Sequence, residues 1–210
     1  MASRPNPHDP KGDAMTLTAT GPRHADTDAP LIAPLIERWS PRAYDPTAEL
    51  TDADVRTLLE AARWAPSAMN LQPWRFIVAR RGSESFTLIH DALMGFNQAW
   101  ADSAAALIVN IAELTDEDGK PRPWAKYDLG QAVAHLTVQA QHDGLHTHQM
   151  GGFDGARLAE AFDLREGLEI VSITAVGKVG DASSLPEPLR EREVAPRSRK
   201  PLDELVITAA

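Results

Sequence analysis

Residues 105 to 111 read Ala-Ala-Leu-Ile-Val-Asn-Ile, an apolar run of strand length with no alternating polar side. Such a run is consistent with a central strand covered on both faces, as in a sheet with helices packed against it. The flanking sequence supplies them. Leu31, Ile32, Leu35 and Ile36 recur at helical spacing and predict a short helix that delivers Arg38 at its end. A clearer helix is expected from Asp52 to Trp64, opened by a capping box of Thr51 and Asp54 and stopped by Pro66. Val55, Leu58, Leu59 and Ala62 make its buried stripe. Arg75 to Ala79 reads as a strand and Glu84 to Leu93 as a helix beginning near Ser83. The longest helix is expected from Trp124 to Gln141, with Leu129, Val133, Leu136 and Ala140 on one face and Gly144 at its cap. Strands at 145–150 and 169–176, with a short helix at 156–162 between them, complete the pattern. Residues 178 to 200 read as irregular and 202 to 207 as an extended tail. The sum is an α+β sandwich, helices around a mainly antiparallel sheet of four or five strands.

One domain fits this length: residues 30–210 form it, and residues 1–29, which lack periodicity, read as a flexible extension. That extension has no apolar signal-peptide core, and its interspersed acids argue against a transit peptide. A formal charge of −9 argues against nucleic acid or an anionic membrane as partner, since both need a basic footprint. The chain has no cysteine, which excludes disulfides, thiolate metal sites and cysteine nucleophiles and fits a cytoplasmic protein.

Chemistry concentrates elsewhere. Residues 64 to 74 read Trp-Ala-Pro-Ser-Ala-Met-Asn-Leu-Gln-Pro-Trp between a helix and a strand. Proline fixes the backbone there, while Ser67, Asn70 and Gln72 offer hydrogen-bonding groups, as in a ligand-holding loop; an ordinary helix-to-strand connection has the same length. Arg38 and Arg42, and far along the chain Arg197 and Arg199, could bind a phosphate through their planar donor forks. Arg190, Arg192 and Lys200 make the same tail generally basic, so spacing alone does not choose among them. Gly151 and Gly152 suit a close backbone approach or a simple turn.

The stretch Pro66-Ser67-Ala68-Met69-Asn70 and the motif Arg38-Trp39-Ser40-Pro41-Arg42-Ala43-Tyr44 closely resemble the flavin-binding segments of the nitroreductase family. Phe96-Asn97, Gly151-Gly152-Phe153-Asp154 and Arg197-Ser198-Arg199 follow in the order of that family's later flavin contacts, and the likeness spans roughly residues 31 to 206. The resemblance implies bound FMN, NAD(P)H as electron donor and a homodimer whose C-terminal arm crosses to the partner's sheet. It implies that Arg38, Ser40, Arg197 and Arg199 hold the phosphate, that Trp39 belongs to the same cofactor site, and that Arg42 and Asn97 meet the ring's pyrimidine side. Gly151 and Gly152 would lie near N5, and Phe96 would shape a substrate channel. Pro66, Ser67, Ala68 and Asn70 would come from the other subunit. Many relatives carry glutamate where this chain has Gly151. The implied reaction is ping-pong transfer to a nitroaromatic, quinone or similar acceptor. Dehalogenation, flavin cleavage, azoline oxidation and flavin binding without turnover are the alternatives.

No catalytic side chain is expected, because the flavin carries the electrons. His142, His146 and His148 cluster in the sequence, but Gly144 interrupts them and no fourth ligand accompanies them, so no metal site is expected. A Walker loop and a dinucleotide-binding glycine fingerprint are both absent, so a nicotinamide donor would have to visit the flavin itself.

Overall fold

The computed structural model describes residues 23–208. Four strands make one sheet in the order β1-β2-β4-β3: β1 Trp74–Arg80, β2 Ala106–Glu113, β3 His146–Met150 and β4 Leu168–Gly177. All three pairings are antiparallel. As its apolar run demands, β2 is buried from end to end and internal in the sheet. Its polar member, Asn110, is buried too. Its amide donates to Ser172 Oγ at 3.0 Å and Thr174 Oγ1 at 2.8 Å on β4, beside a register shift at Asn110/Ile111.

Alternate residues of β2 serve two separate cores. Ala106, Ile108 and Ala112 pack with α2 (Asp52–Arg63) and α5 (Ala125–His142), contributing to a cluster with Leu58, Leu129, Leu136 and Val176. Leu107, Val109 and Ile111 face the other side, with Phe86 and Ile89 of α3 (Glu84–Ala92), Trp100 of α4 (Gly95–Ala101) and Leu158 of α6 (Gly155–Ala161). The architecture is therefore a helix–sheet–helix sandwich.

Local signals set most boundaries. Thr51 Oγ1 accepts from the backbone N–H of Asp54 at 3.1 Å, and the Asp54 carboxylate accepts from that of Thr51 at 2.8 Å. Ser83 caps α3 with a single bond, its Oγ accepting from Phe86 N–H at 3.2 Å. Gly144, at φ +73°, closes α5 in a conformation that a Cβ would disfavour. The short α1 spans Ala33–Glu37.

Three segments differ from the sequence expectation. The region 178–200 contains a helix, α7 (Leu189–Val194), and 202–207 begins as a helix, α8 (Leu202–Leu205), rather than an extended tail. Only Leu189 and Glu193 of α7 are buried, so its charged sequence carries no apolar period. Leu202 and Leu205 of α8 and Ile207 beyond it stay exposed, so packing does not impose an extended form within the chain. Helix α4 has no capping side chain and buries only Trp100 and Ala101, which leaves it without a local signature. No helix among the described residues is long and apolar enough to cross a membrane.

Candidate functional site

The turn after α1 carries the first group of functional residues. Arg38 leaves the helix in extended conformation, and its Nη2 donates to Ser40 Oγ at 3.2 Å. Beneath the turn, Nδ1 of His148 lies 2.8 Å from the Pro41 carbonyl; a carbonyl only accepts, so Nδ1 bears the proton. The His148 ring packs on Trp100, with 4.6 Å between centroids, and Trp39 makes an edge contact with His146. These two histidines are therefore supports for the turn. Burial holds both below their ordinary pKa, His148 down to about 4, with the Pro41 bond opposing the shift and Arg42 adding to it.

The other side of the turn is pinned by Glu193 of α7. Its carboxylate, almost wholly buried, accepts from the backbone N–H of Arg42 at 2.9 and 3.1 Å and from that of Ala43 at 3.0 Å. Arg42 adds an ion pair at 3.9 Å. The next residues run beside the exit of β4: Gly180 N–H donates to Ala43 O at 2.9 Å and Asp45 N–H to Lys178 O at 2.9 Å. A Cβ at Gly180 would come within 2.4 Å of the Tyr44 carbonyl oxygen, so only glycine admits this approach.

Arginines converge on this platform. Nη1 of Arg197 donates to the carbonyls of Arg23 and Ile36, at 2.7 and 2.8 Å, and the Arg23 guanidinium lies 3.7 Å from the Trp39 ring centroid. Desolvation lowers the pKa of Arg23, Arg38, Arg42 and Arg197. Mutual repulsion adds to it: Arg199 acts on Arg38, and Arg38, Arg199 and Arg23 act on Arg197. Among the described residues, Nη2 of Arg23 and Nε of Arg38 and Arg42 are buried without an acceptor. A buried donor left unpaired costs about 1–3 kcal/mol, more if charged. Three of them, on arginines of which only Arg23 and Arg42 have Glu193 as a nearby counter-charge, fit an oxyanion with several acceptor oxygens. Arg199 lies at the exposed rim, its Nη1 donating to Ser198 O.

A second group forms where β3 ends. Gly152 O accepts from Met94 N–H at 3.0 Å and from Asn97 Nδ2 at 3.1 Å, which brings Asn97 and the Gly151–Gly152 pair together. A side chain at Gly152 would press within 3.2 Å of Asn97 Nδ2, whereas a Cβ at Gly151 meets nothing within 4 Å. Phe96 is half-exposed, and the Arg192 guanidinium sits 5.2 Å from its ring centroid, so α4 and α7 face one another here.

The third group is the Pro66–Asn70 loop. Met69, Asn70 and Gln72 all have φ near +50°, a sparsely populated conformation for side chains of this size. The loop is held by Asp128 of α5, which accepts from Ala68 N–H at 3.1 Å, by Ser67 Oγ, which accepts from Gln72 N–H at 3.1 Å, and by Gln131, which donates to Pro66 O. It borders a cavity of about 280 Å³ lined by Met69, Leu71, Lys120, Arg122 and Trp124.

Within one chain this loop stays apart from the arginines. Trp74, where the loop enters the sheet, is level through Ala112 with Glu169, whereas His146 is level with Gly177. Eight residues of β4 separate those levels, about 25 Å, and three strand spacings separate β1 from β3, about 14 Å. The two corners are roughly 30 Å apart along the sheet diagonal. The structure thus gathers Arg38, Trp39, Ser40, Arg42, Arg197 and Arg199 in one place and Asn97 with Gly151 and Gly152 in another. It leaves Pro66, Ser67, Ala68 and Asn70 at a distance.

Sequence reasoning missed Glu193, Arg23 and Asp128. Glu193 stands in an alternating Arg-Glu run where nothing marks one acid as buried. Asp128 had a signal: it lies three residues after Ala125 and beside Leu129 on the buried side of α5, where an unpaired acid needs a partner.

The chain matches the nitroreductase family model over residues 35–178. It is 37% identical over 142 residues to an uncharacterized 15.4 kDa protein from the ask 5' region of Mycolicibacterium smegmatis, covering 64% of this chain and 95% of the relative. It is 26% identical over 189 residues to the major NAD(P)H-flavin oxidoreductase of Aliivibrio fischeri, covering 70% and 87%. A solved structure of an FMN-containing oxidoreductase superposes with a TM-score of 0.82 at 37% identity, covering 88% of this chain and 94% of the other. With the sandwich, the Arg38–Tyr44 turn and the Pro66–Asn70 loop in place, these likenesses make the chain a member of the nitroreductase family.

Proposed function

We propose that this protein is an FMN-dependent oxidoreductase that takes electrons from NAD(P)H and delivers them to a small acceptor such as a nitroaromatic or a quinone. The observation that carries the reading is the set of buried guanidinium donors without acceptors around the Arg38–Arg42 turn. A phosphate monoester supplies acceptor oxygens and charge in the form these donors need. The FMN-containing structure at 37% identity and the NAD(P)H-flavin oxidoreductase relative support the same cofactor and donor.

FMN, when bound, would supply the redox chemistry that links an NAD(P)H donor to the acceptor. Arg38, Ser40, Arg42, Arg197 and Arg199 would hold the phosphate end and the neighbouring polar edge. Asn97 keeps the Gly151–Gly152 backbone in place by its bond to Gly152 O, and the open space over Gly151 leaves a face for a planar substrate to approach. The chain's part is orientation and exclusion of water, so no side chain need act as nucleophile.

The roughly 30 Å between the arginine turn and the Pro66 loop supports a site shared across a two-fold homodimer, in which the partner's copy of the loop completes each cofactor site. Exposed Met69, Trp124 and Tyr127 beside the loop supply apolar surface for that contact.

The test is the absorption spectrum of the purified protein before and after anaerobic addition of NADH or NADPH. A yellow protein is expected, bleached by the nicotinamide and releasing about one intact FMN per chain on denaturation. A colourless protein that takes up no added FMN would overturn the cofactor assignment. Bound flavin that neither nucleotide bleaches would overturn the donor and leave a binding protein.

A further inference from the structure

The family match begins at residue 35, yet a residue before it enters the arginine cluster. The backbone of the segment at 23–25 is tied down twice. Ala25 N–H donates to Ile36 O at 2.8 Å, and the Arg23 carbonyl accepts from Arg197 at 2.7 Å. Arg197 is thus a clasp: one guanidinium nitrogen joins the segment ahead of the fold, the end of α1 and the C-terminal arm. Arg23 itself lies over Trp39, its guanidinium carbon 3.7 Å from the ring centroid, inside the motif that also carries Arg38 and Ser40. Its Nη2 is buried with no acceptor among the described residues, like the Nε atoms of Arg38 and Arg42.

From this geometry we infer that Arg23 is a cofactor-binding residue, an additional cation that meets the FMN phosphate from a segment ahead of the residues the family model matches. The inference rests on the proposed FMN site and adds to it a strap that closes the phosphate end. Contact with the Trp39 ring restrains the guanidinium before the ligand arrives, so less side-chain freedom remains to be lost on binding. The charges agree with the placement: Arg23 feels the attraction of Glu193 and the repulsion of Arg42, which face it from α7 and from the turn. A dianionic phosphate relieves that repulsion. Lysine at position 23 would keep the charge but lose the planar stack and the second donor.

The experiment compares the full-length parent with Arg23→Ala and Arg23→Lys, titrating flavin-free protein with FMN and with riboflavin by flavin fluorescence. Arg23→Ala is expected to weaken FMN binding about 10- to 100-fold and to leave riboflavin within about twofold, with Arg23→Lys between parent and alanine. Thermal unfolding without flavin checks that each variant is folded. Unchanged FMN affinity would overturn the inference, as would an equal loss for both ligands, which would mean that Arg23 acts through folding of the segment. Tighter FMN binding by Arg23→Ala would also overturn it and make Arg23 a plug. If the parent binds riboflavin and FMN equally, the phosphate site and Arg23's role fail together. If the parent binds FMN tightly and the variants do too, only the role of Arg23 fails.

Discussion

His148 shows how a single side chain supports a site without touching a ligand. It carries the Pro41 carbonyl on Nδ1–H and fills the space against Trp100, so its neutral form is the one the fold accepts. Burial places its folded pKa at about 4, against 6.5 for the free group. Below pH 6.5 the unfolded chain gains a proton that the folded chain refuses. Stability is therefore complete above that pH and falls as pH drops toward 4. By pH 5 the loss from this one group amounts to about 2 kcal/mol. Urea unfolding at pH 7 and pH 5 should show it, and His148→Asn, which retains a donor but does not titrate, should remove that portion of the pH dependence. An identical decline in parent and variant would place the acid sensitivity elsewhere.

At the scale of elements, near-neighbour rules were sufficient wherever an end or a face announces itself. The capping box of Thr51 and Asp54, the Ser83 cap, Gly144 and the buried run of β2 all appeared where spacing put them. These features are settled within four residues or by a period, and both are legible in a linear sequence. Helices α4 and α7 were not, because each is held by one or two buried residues whose partners lie far along the chain: Trp100 stacks with Tyr44 and His148, and Glu193 binds the turn 150 residues earlier. The cap of α2 offers a direct measurement. Thr51→Ala removes one half of a reciprocal pair and should cost about 1 kcal/mol in urea unfolding without changing the m-value. No change would mean that packing of α2 on α5 alone fixes the helix.

The whole molecule raises the matter of completeness. With the arginine turn and the Pro66 loop at opposite corners of the sheet, the proposed FMN site would draw on two chains, and complementation tests this. One variant would lose Arg38 and Arg42, the other Ser67 and Asn70; each alone should bind FMN weakly. Co-expressed, they form mixed dimers in which one site carries both lesions and the other neither. Random pairing makes about half the dimers mixed, so roughly a quarter of the parent's tight sites should return. Mixed dimers shown to form without tight sites would put the whole site within one chain.

By itself the sequence determined most of the local pieces: the helices and strands other than α4, α7 and α8, that β2 is covered twice, and which two motifs carry the family likeness. Each of these depends on residues a few positions apart, where backbone geometry leaves few choices. Only the tertiary structure decided the strand order β1-β2-β4-β3, the seating of Arg23 on Trp39 and the pinning of the Arg42 turn by Glu193. Those are contacts between segments far apart in the chain. Identical arginines in a basic tail become distinct only when packing removes water from some and leaves others, such as Arg199, at the surface.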